Sequence, residues 1–426
     1  MRMLIKNGRV IDPASGTDDV KDVLIEQGVV TQIASVINSM AAVDTIDAAG
    51  LWVTPGLIDL HAHLRDPGFT HKETMATGTR SAAAGGYTTI CAMPNTAPVT
   101  DNPDAAAQLC RKACDEGIVH VLPIGSITQG QQGKMLTDFA ALKNACVFAL
   151  SEDGKSVQDD ALMALAVAKA AENGLPIFSH CENIALANGG VMHAGQVSAK
   201  LGLPGISRAS EDDFIARDIA LRDKSGGRLH ICHVSTKGGV ALIQSARRRT
   251  PLVTAEVCPH HFTLTDEAID GTDANYKMNP PLRSAEDISA LIAGLRDGTI
   301  GVIATDHAPH HADEKNVGFL NAPNGIVGFE TAFAVAYTTL VAPGVLSPMA
   351  LIEKMSLNPA NVLGLHKGRL AVGAAADIAI FDTHTPYRIN VDTFRSKSKN
   401  SPFHGMAVKG AAKVTIVSGR VVFDNR

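Results

Sequence analysis

The side chains best able to do chemistry in this sequence are His61, His63, Asp153, His180, His233 and Asp306. Residues i and i+2 of an extended strand point to the same face, so His61 and His63 can reach one metal ion together. His180 follows Ile177-Phe178-Ser179, His233 follows Leu229-His230-Ile231-Cys232, and Asp306 follows Val302-Ile303-Ala304-Thr305. Six nitrogen and oxygen donors exceed the four that one tetrahedral zinc takes. The set therefore suits one ion or two, and a pair sharing a bridging carboxylate would sit about 3.5–4 Å apart. Arg65 lies two residues beyond His63; on a persisting strand its guanidinium faces the same cavity and offers a fork for a carboxylate. Each residue also has a plainer role open to it, as a hydrogen-bonded core histidine (His180, His233), a turn residue (Asp153) or a helix cap (Asp306). All of these would have to hold at once to empty the site.

The elements that must position these residues alternate strand and helix. Strands are expected at Tyr87–Met93, Val119–Ile124, Ala145–Leu150, Pro176–His180, Leu229–His233, Val253–Val257 and Gly301–Asp306. Helices are expected at Asp104–Glu116, Asp159–Asn173 and Gly238–Arg248. Repeated strand–helix units over about 300 residues predict a (β/α)8 barrel. A doubly wound sheet is the runner-up, but the glycine-rich dinucleotide fingerprint is absent. The metal-ligand candidates and Asn95 each follow a predicted strand, and the strand C-termini form the catalytic face of a barrel. Both ends of the chain are instead rich in short strands and turns. Asn7-Gly8 predicts a hairpin between Leu4 and Ile11, and a second is expected over Asp22–Val30. The expected division is residues 1–54 and 367–426 for a small β-sandwich domain, with the barrel over 55–366.

Composition narrows the function classes. Hydrophobic residues make up 45% and charged residues 19%, which argues for a packed core and against disorder. A net charge of -5 argues against a nucleic-acid surface. The basic run Arg247-Arg248-Arg249 ends a helical pattern, where cations complement the helix dipole. Seven scattered cysteines without a Cys-x-x-Cys pair predict reduced thiols and a cytoplasmic setting. The N-terminus reads as strand and turn rather than a signal peptide, and no run of about twenty apolar residues could span a membrane.

Four motifs together carry a family resemblance: Asp59-Leu60-His61-Ala62-His63-Leu64-Arg65, Met93-Pro94-Asn95-Thr96, Met278-Asn279-Pro280-Pro281-Leu282-Arg283 and Ala304-Thr305-Asp306-His307-Ala308-Pro309-His310. The sequence resembles the dihydroorotases of the amidohydrolase superfamily, in their longer bacterial class I form, over essentially its whole length. The resemblance implies a zinc-dependent, reversible cyclisation of N-carbamoyl-L-aspartate to L-dihydroorotate in pyrimidine biosynthesis. It implies that His61 and His63 hold a more buried zinc and His180 and His233 a more exposed one. Asp306 would bind metal and transfer the proton, and Asp153 would bridge the pair where many relatives use a carboxylated lysine. Lys155, two residues from Asp153, keeps that lysine alternative open. Arg65 and Asn95 would bind the substrate carboxylate, with His310 completing the pocket and Asn279 reading the ring edge.

The long segment from His310 to Gly325 is expected to act as a lid. Its Ala322-Pro323-Asn324-Gly325 end matches the family in outline, although a large apolar residue is more usual at Asn324. His260 and His261 are expected to support the site from behind or to serve the fold alone. The resemblance also brings expectations of a homodimer and of association with aspartate transcarbamoylase. Two other readings compete: a hydantoinase- or allantoinase-type cyclic amidase, and a non-catalytic structural partner of aspartate transcarbamoylase. Arg65 with Asn95 argues against the first, and the full ligand set against the second.

Overall fold

The computed structural model describes residues 2–38 and 43–426; residues 1 and 39–42 of the expected N-terminal segment lie outside the described residues. Its central feature is a ring of eight parallel strands in sequential order: Leu57–Ala62, Tyr87–Ala92, His120–Ser126, Ala149–Ser151, Ile177–Ser179, Leu229–Ile231, Val253–Val257 and Val302–Ile303. The last strand does not pair along its length with the first. Closure comes just beyond it, where Ala62 bridges His307 and the His63 N–H donates to the His307 carbonyl at 2.8 Å. The seam thus joins the two segments that carry His61, His63 and Asp306.

Helices cover the ring, and local sequence explains where they begin. Asn102 and Asp159 accept hydrogen bonds from Ala105 N and Leu162 N at the starts of Pro103–Glu116 and Asp160–Glu172. Each cap satisfies a backbone donor that the first helical turn leaves free. One large apolar cluster joins these helices to the strands. A second draws Ile58, Leu60, Cys91, Leu122, Phe178 and Val302 from separate barrel strands together with Ala360 and Leu363 of the last helix.

Both chain ends build one further sheet. Trp52–Pro55 pairs in parallel with Arg2–Asp12 and antiparallel with Ile378–Asp382, which continues into Ala411–Val417 and Arg420–Asp424. Its own core mixes Ile5, Val23 and Val53 with Ile378, Val414 and Ile416. The expected hairpin at Asn7-Gly8 is corrected: Arg2–Asp12 is one continuous strand with a register shift between Ile5 and Gly8. Asn7 has φ 61°, and its N–H finds the Asp22 carboxylate at 2.9 Å, so the signal marks a bulge rather than a reversal. The second hairpin does form, turning at Gln27-Gly28 between Thr17–Glu26 and Val29–Ala34. The strand expected from Ala145 starts only at Ala149, because the N–H of Ala145 closes the helix Phe139–Asn144. No helix among the described residues is long and apolar enough to cross a membrane. All seven cysteines are free, and Cys91, Cys181, Cys232 and Cys258 are buried.

Candidate metal centre and substrate cavity

The expected site residues meet at the C-terminal end of the barrel strands. His63, Arg65, Asn95, Asp153, His180, His233, Asn279, Asp306 and His310 all line one cavity of about 210 Å³. His61 lies beneath them, fully buried. Asp153 stands in the middle. Its Oδ1 is 3.3 Å from His61 Nε2 and 3.4 Å from both His180 Nδ1 and His233 Nε2, while its Oδ2 is 3.4 Å from His63 Nε2. Asp306 Oδ1 lies 3.1 Å from His63 Nε2 and 3.6 Å from His61 Nε2.

These separations fit a bound cation. Ligands held about 2.0–2.1 Å from a tetrahedral ion stand roughly 3.3 Å from one another. His61 Nε2 and Asp153 Oδ1 are buried without a hydrogen-bond partner, a costly arrangement that a cation between them would relieve. Among the described residues four groups of three are compact enough to share an ion, and two of them draw only on the expected ligands: His61, His63 and Asp306, and His61, Asp153 and His233. Burial penalises charge on His180, but Asp153 and Glu182 outweigh it and push its pKa up to about 10. The carboxylates therefore call for positive charge at this point, which a cation supplies in place of protons. Lys155 does not take part; its Nζ donates to the Gln131 carbonyl at 3.0 Å, and it does not line the cavity.

Surrounding polar groups orient these imidazoles. His61 Nδ1 is 2.8 Å from Glu256 Oε1, His63 Nδ1 is 2.9 Å from Asn95 Oδ1, and His180 Nε2 is 3.4 Å from Glu182 Oε2. When each outer nitrogen donates, the inner one presents its lone pair to the centre. Glu256 is fully buried, and burial opposes its charge. His230 and His61 overcome that penalty and hold its pKa at about 2. Glu182 also accepts from Asn279 Nδ2 at 3.1 Å, tying the ring-reading candidate to a metal-facing imidazole.

Sequence reasoning missed Glu182 and Glu256. A charged residue inside the buried strand Val253–Val257, and another two positions after His180, were the available signals. His260 and His261 are both buried and outside the ligand set around Asp153. His261 Nε2 donates to the Pro280 carbonyl at 2.9 Å, steadying the loop that carries Asn279.

Arg65 reaches the cavity by a different route from the one expected. The strand stops at Ala62, and Arg65 has φ 60°, a left-handed backbone that only the surrounding contacts make tolerable. Its Nε donates to the Pro309 carbonyl at 3.1 Å. Burial lowers its pKa to about 10, so the guanidinium remains charged at neutral pH. His233 and Asp306, at φ 33° and 48°, share this unusual backbone region.

The segment after His310 folds back onto the barrel and includes the helix Ala312–Lys315. His310 Nε2 donates to the Asn324 carbonyl at 2.8 Å, and Lys315 Nζ donates to Pro323 O and Gly325 O at 2.9 and 3.1 Å. Asn400, from far down the chain, accepts from His310 N at 3.1 Å and donates to Ala308 O and Gly325 O. Gly325 itself is obligatory: its φ is 127°, and a Cβ there would lie 2.6 Å from that of Ala308.

A parallel barrel with this cluster of imidazoles and carboxylates at its strand ends defines an amidohydrolase. The chain matches a protein-family model described as "Dihydro-orotase-like" over residues 50–239 and one described as "Amidohydrolase family" over 309–423. It is 49% identical over 422 residues to a dihydroorotase of Ruminiclostridium cellulolyticum, covering 99% of this chain and 98% of that protein. It is 50% identical to one of Pelotomaculum thermopropionicum, over 100% of this chain and 99% of that protein. The chain belongs to the dihydroorotase family and is a cyclic amide hydrolase. Solved structures share its shape across nearly the whole chain. The L-hydantoinase of Arthrobacter aurescens matches with a TM-score of 0.90 at 29% identity, covering 99% of this chain and 96% of that one. The dihydropyrimidinase of Brevibacillus agri matches at 0.87 and 27%, over 100% and 95%.

Proposed function

We propose that this enzyme interconverts N-carbamoyl-L-aspartate and L-dihydroorotate, supplying pyrimidine biosynthesis, and that zinc is its metal, up to two ions, which His61, His63, Asp153, His180, His233 and Asp306 would hold. The observation that carries the substrate assignment is the charged Arg65 in the same 210 Å³ cavity as the imidazole–carboxylate cluster. An uncharged cyclic amide has no use for that cation. A carboxylate on the ring pairs with it bidentately, and a donated N–H from Asn95, whose Oδ1 is already taken by His63, adds a second fixed donor.

A divalent cation held by this residue set would supply Lewis acidity, making water more acidic and polarising a carbonyl. In this reading Asp306 moves the proton. In hydrolysis it takes a proton from the attacking water and gives it to the ring nitrogen as the C–N bond breaks; the water oxygen ends in the new carboxylate. Cyclisation runs the same steps backwards and releases water. His310 and Asn279 hold the substrate's carboxylate and ring edge, and Asn324 and Gly325 complete the cavity lining.

The decisive experiment is turnover of L-dihydroorotate by the zinc-loaded chain beside dihydrouracil, hydantoin and allantoin, with metal content read on the same sample. Hydrolysis of dihydroorotate is expected, with two zinc ions per chain. Activity confined to the uncharged rings would move the enzyme to the hydantoinase type. The reading carries with it a cytoplasmic homodimer able to associate with aspartate transcarbamoylase, which light scattering of the chain alone and of the mixture tests. It also keeps the domain limits at 54/55 and 366/367.

A further inference from the structure

A second cavity, of about 380 Å³, lies at the end of the barrel away from the metal-binding cluster. Its size is within the range of small-molecule sites. The wall forms where strands begin. Pro176 precedes Ile177–Ser179, Leu229 opens Leu229–Ile231, Leu252 precedes Val253–Val257, and Val302 opens Val302–Ile303. Three of those strands run on toward His180, His233 and Asp306 at their other ends, so the barrel separates the two cavities.

Three cations line this space: Arg228, Arg247 and Lys354. Lys354 is only 5% exposed, and its Nζ makes a single hydrogen bond, to Ile300 O at 3.2 Å, although an ammonium has three donors. Arg247 uses one of five, from Nη1 to Val253 O at 3.2 Å. Arg228 reaches the carbonyls of Gly174 and Val362. Among the described residues none of the three lies within 4.0 Å of a carboxylate oxygen. Glu353 lines the cavity without pairing to them, and the exposed Asp297 nearby is already engaged by Thr299 N and Gln244 Nε2 at 2.8 and 3.0 Å. Burial lowers the pKa of all three cations, a penalty that an anion would remove.

In a chain of net charge -5, this is a local concentration of positive charge rather than general basicity. Two guanidinium forks and an ammonium exceed what a lone carboxylate requires and match the several oxygens and double charge of a phosphoryl group. Leu229, Leu252 and Val362 supply an apolar wall beside them. We propose that this cavity binds a small organic phosphate, its phosphoryl group held by Arg228, Arg247 and Lys354 and its body packed against Leu229, Leu252 and Val362.

The test is calorimetric titration of the metal-loaded chain with phenyl phosphate and, separately, inorganic phosphate. Phenyl phosphate should bind saturably at one per chain and more tightly than inorganic phosphate. Its affinity should fall at least about tenfold in Lys354→Gln and in Arg247→Gln. Lys354→Arg should keep binding, and so should Arg65→Ala, which disables anion capture in the catalytic cavity. Should Lys354→Gln fail to fold by circular dichroism, the half-buried Arg247 decides the matter. The proposal is overturned by an absence of saturable binding, by affinity indifferent to both glutamine substitutions, or by loss of binding in Arg65→Ala. Equal affinity for inorganic phosphate would overturn the role of the apolar wall.

Discussion

The carboxylate of Glu256 lies 2.8 Å from Nδ1 of His61, and this contact turns the unpartnered Nε2 of that ring toward Asp153. The other Glu256 oxygen is 3.0 Å from His230 Nε2, whose Nδ1 is 2.8 Å from Thr254 Oγ1. A buried polar chain thus stands behind the deepest imidazole of the cluster. Glu256→Gln keeps the shape but removes the charge that makes His61 a strong donor. Metal affinity should fall by about 10–100-fold, read as metal retained after dialysis against a chelator, with the circular dichroism unchanged. Full retention would leave Glu256 with a packing role only.

Arg65→Ala removes the carboxylate fork without touching a ligand. kcat/KM should fall by roughly 10²-fold or more, chiefly through KM, with metal content intact. Loss of metal instead would mean that Arg65 serves the centre rather than the substrate.

Asp306→Asn preserves volume and abolishes the proton acceptor. Turnover should drop by about 10²–10⁴-fold, the usual contribution of a positioned acid–base group. Rates near those of the unsubstituted enzyme would exclude Asp306 from proton transfer.

Asn400→Ala strips three hydrogen bonds from the segment that carries His310 and Gly325. Unsatisfied buried groups there should cost about 1–3 kcal/mol of stability. KM should rise while metal stoichiometry holds. A lower melting temperature with unaltered KM would confine Asn400 to the fold.

Asp377 joins the terminal sheet to the barrel, accepting from Ser418 N and Lys367 Nζ while its carbonyl accepts from Gly56 N. Burial disfavours its charge, but His120 and Lys367 outweigh that and hold the pKa at about 2, against an ordinary 3.8. A depressed carboxylate stabilises the fold above its unfolded pKa, and that stability is lost as pH falls through the folded value. Asp377→Asn should therefore cost about 2 kcal/mol at neutral pH. The gap between variant and parent, followed by denaturant unfolding, should begin to close below pH 3.8 and vanish near pH 2. A gap independent of pH would assign the loss to packing.

The chemistry-bearing types and their spacing were legible locally, because a histidine after an apolar strand reads the same wherever the strand ends up. So were the strand–helix alternation and the kinship of the two chain ends. From the sequence alone came His61, His63, Asp153, His180, His233 and Asp306 as one set, with Arg65, Asn95, Asn279 and His310 beside it.

Tertiary structure decided the rest. Asn7-Gly8 became a bulge because Asp22, on the neighbouring strand, takes up the Asn7 N–H. Arg65 enters the cavity through a left-handed turn braced by Pro309, not along a persisting strand. Glu256, Glu182 and Asn400 acquire their roles from partners up to 195 residues away. Arg228, Arg247 and Lys354 share a cavity only because the barrel brings their elements to one end. Periodicity records which way a side chain leaves its own strand or helix; which distant side chain it meets depends on closure of the ring.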